Sequence, residues 1–395
     1  MTGTNVSAWE RLIEGLRPIE AQALAVSPAQ RSEQTQAELQ LMLATSLAME
    51  IANHAHADPD YPAFLPALNA VFFLAGPVPD YIYWSAEIRG GGAYRISGYR
   101  GTTRFVEINI RAGDEGDGGG GGRTVGLIDL DDLTLDGAGY FSLVMSDHRP
   151  AGYTGDWVRL DALASNLLVR SAAYDWKNEL DPRLAIERLD VPASRPRPSV
   201  EHIRERLASL PAQTRHNVVA RFEKPMADLR RQGQINRFGL GDYSKMGGAV
   251  GQTYQEGLYD IDEGEGLLVE TELPETCRYW SLMALSDQYV TVDWVNRQSS
   301  LNGLQARLDA DGKFRAVLSI RDPGIANWID TGGFGQGVYK LRWNKCSSVP
   351  TPVCRKVKLD DLRLLLPADT PVVTPEERDL QVRLRREAYQ LRRRW

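Results

Sequence analysis

Tyr83-Trp84-Ser85 returns as Tyr279-Trp280-Ser281, and each copy leads through an Asp-Gly turn to a second Trp and then a third. After the first copy come Asp136-Gly137, Asp156-Trp157-Val158 and Tyr174-Asp175-Trp176. After the second come Asp311-Gly312, Asn327-Trp328-Ile329 and Leu341-Arg342-Trp343. Landmarks kept in order across two stretches point to an internal duplication of a β-rich unit. The residues around them support strands. Tyr94-Arg95-Ile96-Ser97-Gly98-Tyr99 and Arg104-Phe105-Val106-Glu107-Ile108-Asn109-Ile110 alternate across a pleat, with Arg100 to Thr103 reading as a hairpin turn between them, and Leu267 to Leu273 reads as a strand. The fold expected is mainly β, two tandem related sandwiches with N-terminal, bridging and C-terminal helices. Two such modules pack on each other, so their seam or mouths are where a concave site belongs.

The boundaries follow from punctuation. Residues 1–66 read as a helical segment. Ser7-Ala8-Trp9-Glu10 is a capping box, and Ser27-Pro28-Ala29-Gln30 opens a second helix that ends before Pro59, Pro62 and Pro66. Residues 67–194 form the first β module, whose edge is expected at Ala70-Val71-Phe72-Phe73-Leu74. Within it Asp114 to Gly122, rich in Gly and acidic residues, predicts a mobile surface loop. Residues 195–235 bridge the modules through helices, 236–370 form the second β module, and 371–395 a basic helix capped by Thr374-Pro375-Glu376-Glu377.

The chain has 395 residues, 43% hydrophobic and 25% charged, enough for two cores of ordinary size. A net charge of −6 argues against a nucleic-acid partner, because neutralising phosphates needs a basic face. No run is long and apolar enough to span a bilayer. The first residues carry neither a basic nor an apolar segment, so a cytoplasmic address is expected. Three cysteines make no disulfide framework; Cys346 and Cys354 could close a small loop, but reduced thiols are the expectation. His54-x-His56 lacks a third ligand nearby, and His148 beside Asp147 reads as a surface turn. Neither a metal nor a cofactor is expected. The absence of a phosphate loop and of a Gly-x-Ser-x-Gly elbow argues against nucleotide and serine-hydrolase chemistry.

The second β module resembles the domain of unknown function 1214 family. The resemblance rests on Cys277-Arg278-Tyr279-Trp280-Ser281-Leu282, on Val295 to Gly303, and on Asp322-Pro323-Gly324-Ile325-Ala326-Asn327-Trp328-Ile329-Asp330-Thr331. The first β region resembles the N-terminal part of long members, or the often associated 1254 family. The resemblance implies jelly-roll-like sandwiches and no established reaction. Family members often carry a His after the Trp-x-Asp-Thr segment, where this chain has Phe334.

The stretch Asp293 to Asn302 gathers a carboxylate, a guanidinium, three amides and two hydroxyls beside Trp294. Such groups read hydroxyls or acids by several hydrogen bonds while an indole stacks on a ring. Arg297, Asn296, Trp294, Ser299, Asn302 and Trp328 are therefore the candidate ligand contacts, for a glycoside- or steroid-like molecule that the protein recognises and possibly transforms. The competing reading of the same stretch is a satisfied polar turn, with Arg297 paired to Asp293. If the protein is an enzyme, a hydrolase or lyase using carboxylates is favoured, with Asp293, Asp322 and Asp330 as weak catalytic candidates. Cys277 is a remoter nucleophile candidate. The alternative function is a non-enzymatic assembly scaffold, a homo-oligomer joined through the C-terminal helix.

Overall fold

In a computed structural model, the residues described are 6–27, 32–74, 76–113, 122–220, 225–243 and 248–392. The chain forms two β-sandwiches. The first contains β1 (Leu65–Pro66), β2 (Tyr81–Glu87), β3 (Tyr94–Tyr99), β4 (Phe105–Ala112), β5 (Arg123–Asp129), β6 (Tyr140–Ser146), β7 (Asp156–Arg159), β8 (Asn166–Ala172) and β9 (Arg183–Arg188). The second contains β10 (Gly239–Gly241), β11 (Gln252–Asp260), β12 (Glu265–Thr271), β13 (Cys277–Ser286), β14 (Ser300–Asn302), β15 (Phe314–Ser319), β16 (Trp328–Asp330), β17 (Gln336–Cys346) and β18 (Val353–Lys358).

Strand order proves the duplication more firmly than the Trp landmarks do. The first sandwich has sheets ordered β1-β2-β8-β4-β5 and β7-β6-β3-β9; the second has β10-β11-β17-β13-β14 and β16-β15-β12-β18. Adding nine to each number of the first gives the second. Both modules even share a parallel pair, β6 with β7 and β15 with β16, at Val144↔Trp157 and Val317↔Trp328. Asp156-Trp157 and Asn327-Trp328 are thus true counterparts. The two Tyr-Trp-Ser copies are not, since Tyr83-Trp84-Ser85 lies on β2 and Tyr279-Trp280-Ser281 on β13, the counterpart of β4. Arg100 to Thr103 is also no hairpin turn, because β3 and β4 belong to opposite sheets and the segment crosses between them.

Alternation places one face of each strand in a sandwich core. Ile82 and Trp84 of β2, Ile108 of β4 and Val169 of β8 pack on Ile96, Phe141 and Leu143. Trp280 and Leu282 of β13 and Tyr339, Leu341 and Trp343 of β17 pack on Leu267, Val269, Phe314 and Leu318. The other face of these strands is buried too: β4 reads as buried along its whole length, and Tyr81, Tyr83 and Phe105 of the first module cluster with Tyr279 of the second. The two sheets thus meet face to face, which makes the seam a third packed layer between the sandwich cores.

Helices flank the sandwiches. α1 (Ala8–Leu16) has the expected capping box, α2 (Ile19–Val26) follows, and α3 (Glu33–Glu50) runs into a π turn at Ile51–Ala55. α4 (Val200–Arg215) and α5 (Pro225–Arg231) bridge the modules, and a short α6 (Leu362–Leu365) precedes α7 (Pro375–Leu391), whose Thr374 and Glu377 close a capping box. Residues 70–74 form bends and a turn rather than the expected strand edge, with Phe72 and Leu74 buried. The Asp114 to Gly122 loop lies, but for Gly122, outside the described residues, as do Pro28 to Gln30 of the second expected cap. The expectation of reduced thiols is corrected: Cys277 and Cys346, register partners on β13 and β17, are joined in a disulfide, and Cys354 is free. No helix among the described residues is long and apolar enough to cross a membrane.

Candidate functional site

Three neighbouring strands give the second module's outward face a regular grid. Register sets Lys340 between Glu256 and Met283, Arg342 between Tyr254 and Ser281, and Asn344 between Gln252 and Tyr279. The first module offers the matching grid, with Arg170 between Tyr83 and Glu107 and Ala172 between Tyr81 and Phe105. The grids meet through the aromatics: the Tyr279 ring lies 5.2 Å from Tyr81 and 5.8 Å from Phe105, and Tyr81 Oη donates to Gln252 Oε1 at 2.9 Å.

Arg342 is the unusual member. It is 4% exposed, and among the described residues no carboxylate forms an ion pair with it; its Nη1 points to Met283 Sδ at 2.7 Å. Burial draws its pKa down, but the tyrosines around it, Tyr254, Tyr83, Tyr279 and Tyr81, outweigh that and raise it. The same burial pushes the Tyr83 hydroxyl up to about 12. Glu256 also feels Arg342 but is held by Lys340 at 3.0 Å. A guanidinium has five N–H donors in a fork suited to a carboxylate or phosphate, and among the described residues Arg342 has no such partner paired with it.

Lys340 differs, because its network is closed. The ammonium reaches Tyr243 Oη, Tyr289 Oη and Glu256, while Tyr243 donates to Glu256 and lies 2.6 Å from Tyr289 Oη. With the Tyr243 proton on Glu256, Tyr289 donates to Tyr243, so every proton has an acceptor inside the group. The cluster braces the segment before β11.

The seam also holds a charged clamp and a buried pin. Arg278 of β13 reaches across to Asp129 at 2.5 Å, to Asp131 and to Glu107 at 3.5 Å, and Lys345 reaches Asp129 at 2.6 Å. Asp80 is fully buried, taking hydrogen bonds from Tyr279 at 2.6 Å, Asn302 at 2.7 Å and Trp176 at 2.8 Å. Burial raises its pKa against those three bonds.

The residues expected from sequence serve mostly to dock α7. Arg297 is half-exposed and pairs with Asp330 at 3.0 Å, not with Asp293. Asp293 caps its own turn through the amides of Val295 and Asn296, and Asn296 Oδ1 accepts from Arg386 of α7 at 2.6 Å. Trp294 is buried against Tyr389, and its carbonyl accepts from Arg385 at 2.6 Å. Burial pulls the Arg385 pKa down to about 10. Ser299 donates to the Val292 carbonyl; Asn302 joins the Asp80 pin. Trp328 donates to the Ser319 carbonyl and lies under the Arg378 guanidinium, which also holds Asp322 at 2.9 Å. Cys277 is bound in its disulfide and is no nucleophile.

Neither His54 nor His148 activates a nucleophile. His54 Nε2 lies 2.8 Å from Ser209 Oγ, but its Nδ1 faces Arg206 Nη1 at 3.2 Å. Arginine only donates, so Nδ1 accepts and Nε2 carries the proton; the imidazole donates to Ser209 and cannot take its proton. His148 pairs with Asp147 at the surface. Among the described residues no group of three His, Cys, Asp or Glu side chains is placed to hold a metal ion.

The signal that sequence reasoning passed over was Lys340-x-Arg342-x-Asn344, polar residues alternating with Tyr339, Leu341 and Trp343. Such a strand has an apolar face in a core and a polar face that needs a use.

No protein-family model matches the chain, and no curated protein does. Among solved structures it is similar to an uncharacterised protein from Burkholderia cenocepacia, with 24% identity and a TM-score of 0.82 over 89% of this chain and 97% of that one. A protein from Vibrio parahaemolyticus is 12% identical, with a TM-score of 0.43 over 80% of this chain and 98% of that one. The Burkholderia likeness spans both modules and shows the fold.

Proposed function

We propose that this protein binds a small, ring-bearing organic anion in the seam, on the outward face of its second module. The observation that carries the reading is Arg342, a buried guanidinium set among tyrosines and, among the described residues, with no carboxylate paired to it. The arginine would take the acid group, and the tyrosine rings give the ring edge-on or offset neighbours. The reading keeps the ring-bearing ligand and the second module expected from the sequence, and moves the contacts from residues 293–302 to β17. Membership of the domain of unknown function 1214 family belongs to the same proposal, supported by the motifs at 277–282, 295–303 and 322–331.

The test is thermal denaturation of the whole chain with benzoate-type acids against the uncharged benzyl alcohol, since a ligand of the native state raises the midpoint. Acids should raise it and the alcohol should not. Arg342→Met should abolish that rise without lowering the unliganded midpoint, because replacing an unpaired buried charge by an apolar side chain of similar reach is neutral or stabilising. A large fall in the unliganded midpoint would make Arg342 a structural residue. Loss of the response in Arg297→Ala but not in Arg342→Met would return the site to the 293–302 stretch.

A further inference from the structure

Leu380, Leu384 and Leu391 of α7 are 55%, 48% and 63% exposed. At about 100° per residue they fall within roughly 40° of one another, and Glu387 falls among them. The order Leu380, Leu384, Glu387, Leu391 therefore has the alternating spacing of a coiled-coil seam. Aliphatic side chains aligned in one exposed stripe mark a contact surface, unlike the single ones scattered over any protein. The rest of the helix is engaged with its own chain. Arg378 holds Asp322 and Gln298, Arg385 holds the Trp294 carbonyl and Ser300, and Tyr389 packs on Trp176 and Trp294. Those partners come from both modules, so the stripe crowns a ridge fixed to the whole protein.

We infer that this ridge docks on the same ridge of a second copy, with the two α7 helices antiparallel about a two-fold axis. Charge selects that occupant. Glu387 is the one acid inside the apolar stripe, and Arg383, on its flank, is the matching base. An axis level with residues 385 and 386 sets Leu380 against Leu391 of the second copy and brings the two Leu384 side chains together. It also sets Arg383 opposite Glu387 of the second copy, twice by symmetry. A parallel pair would instead bring the two Glu387 carboxylates together. In the single chain Arg383 pairs with Asp379 at 2.6 Å and Glu387 with Lys177 at 3.2 Å, all four side chains being about half exposed or more. Pairs of that kind contribute little and exchange readily for a partner across an interface. The contact is isologous and closes at a dimer. One helix from each copy is a small interface, so the dimer is transient, with a Kd on the order of 10 µM.

Sedimentation equilibrium of the full chain, from about 1 to 200 µM, brackets that affinity. The parent should show a monomer–dimer equilibrium and Leu384→Glu should be a monomer throughout. Arg383→Glu should weaken the dimer at least about tenfold, the scale of two lost ion pairs across a symmetric contact. Combining Arg383→Glu with Glu387→Arg should restore it, because the exchange keeps opposite charges across the axis. All these positions are exposed, so thermal midpoints of the variants should stay near the parent's. A parent that is monomeric at every concentration overturns the inference and leaves the ridge to a different protein. A dimer that persists in Leu384→Glu overturns it by placing the contact elsewhere. A double variant no tighter than Arg383→Glu alone overturns the antiparallel pairing. None of these outcomes depends on the anion site in the seam.

Discussion

Arg170 and Arg342 hold matching places at the centres of the two grids, on the counterpart strands β8 and β17, each with a tyrosine on one side. What differs is the other neighbour. Arg170 has Glu107 beside it in register and donates to Asn109, whereas Arg342 has Ser281. The first module therefore supplies a carboxylate next to its arginine, and the second withholds one. The duplication acts as an internal control, which allows a direct expectation. Ser281→Asp would restore an acid beside Arg342 and fill the anion position from within. Binding of aromatic acids should fall at least about tenfold, the scale of one charge-assisted hydrogen bond, while the unliganded midpoint holds or rises. Calorimetric titration of this variant beside the parent reads the effect; unchanged affinity would mean that Arg342 is not the anchor.

At the scale of elements, the alternation that predicts strands was legible almost everywhere, and the sandwich class with it. Register and partnership were not. Tyr-Trp-Ser sends Tyr outward and Trp into a core in both copies, yet a three-residue pattern fits any strand buried on both faces, and here it sits on strands that are not counterparts. Arg342 was visible inside Leu341-Arg342-Trp343, but nothing local tells whether an outward face meets water or another sheet. The polar run 293–302 drew attention for its density of hydrogen-bonding groups, which the fold uses to seat α7. That helix buries Arg378 and Tyr389 against the chain, and Arg392 just after it is buried and paired to Asp181 at 2.7 Å. Its outer side leaves Leu380, Leu384 and Leu391 exposed. A chain ending before Thr374 should accordingly lose stability, roughly 3 kcal/mol or more from the Tyr389 contacts alone, seen as a lower denaturation midpoint. An unchanged midpoint would show that α7 is held only loosely and is free for other partners.

Taken as a whole, the molecule is two sandwiches whose seam is clamped by acids of the first module, Asp129 and Asp131, and bases of the second, Arg278 and Lys345. That polarity gives the seam a pH dependence of known sign. Burial pushes the Asp129 carboxyl up, but hydrogen bonds from Arg278 and Lys345 outweigh it and lower its pKa to about 2 from 3.8. A carboxyl with a depressed folded pKa contributes its stability above the unfolded value and loses it as pH falls through the folded one. The clamp is therefore intact at neutral pH and should weaken between about pH 4 and pH 2, with the shift worth roughly 2 kcal/mol. Glu107 works in the opposite direction: burial and the nearby Asp129 charge raise its pKa, so acid relieves part of the strain that neutral pH places on it. Asp129→Asn separates the two. The variant should be less stable than the parent at pH 7, and the gap should close as pH is lowered toward 2, because the parent has by then lost the charge that the variant never had. Denaturant titrations at pH 7, 4 and 2.5 measure this, and a gap that stays constant across them would mean that Asp129 holds the modules together by shape rather than by charge.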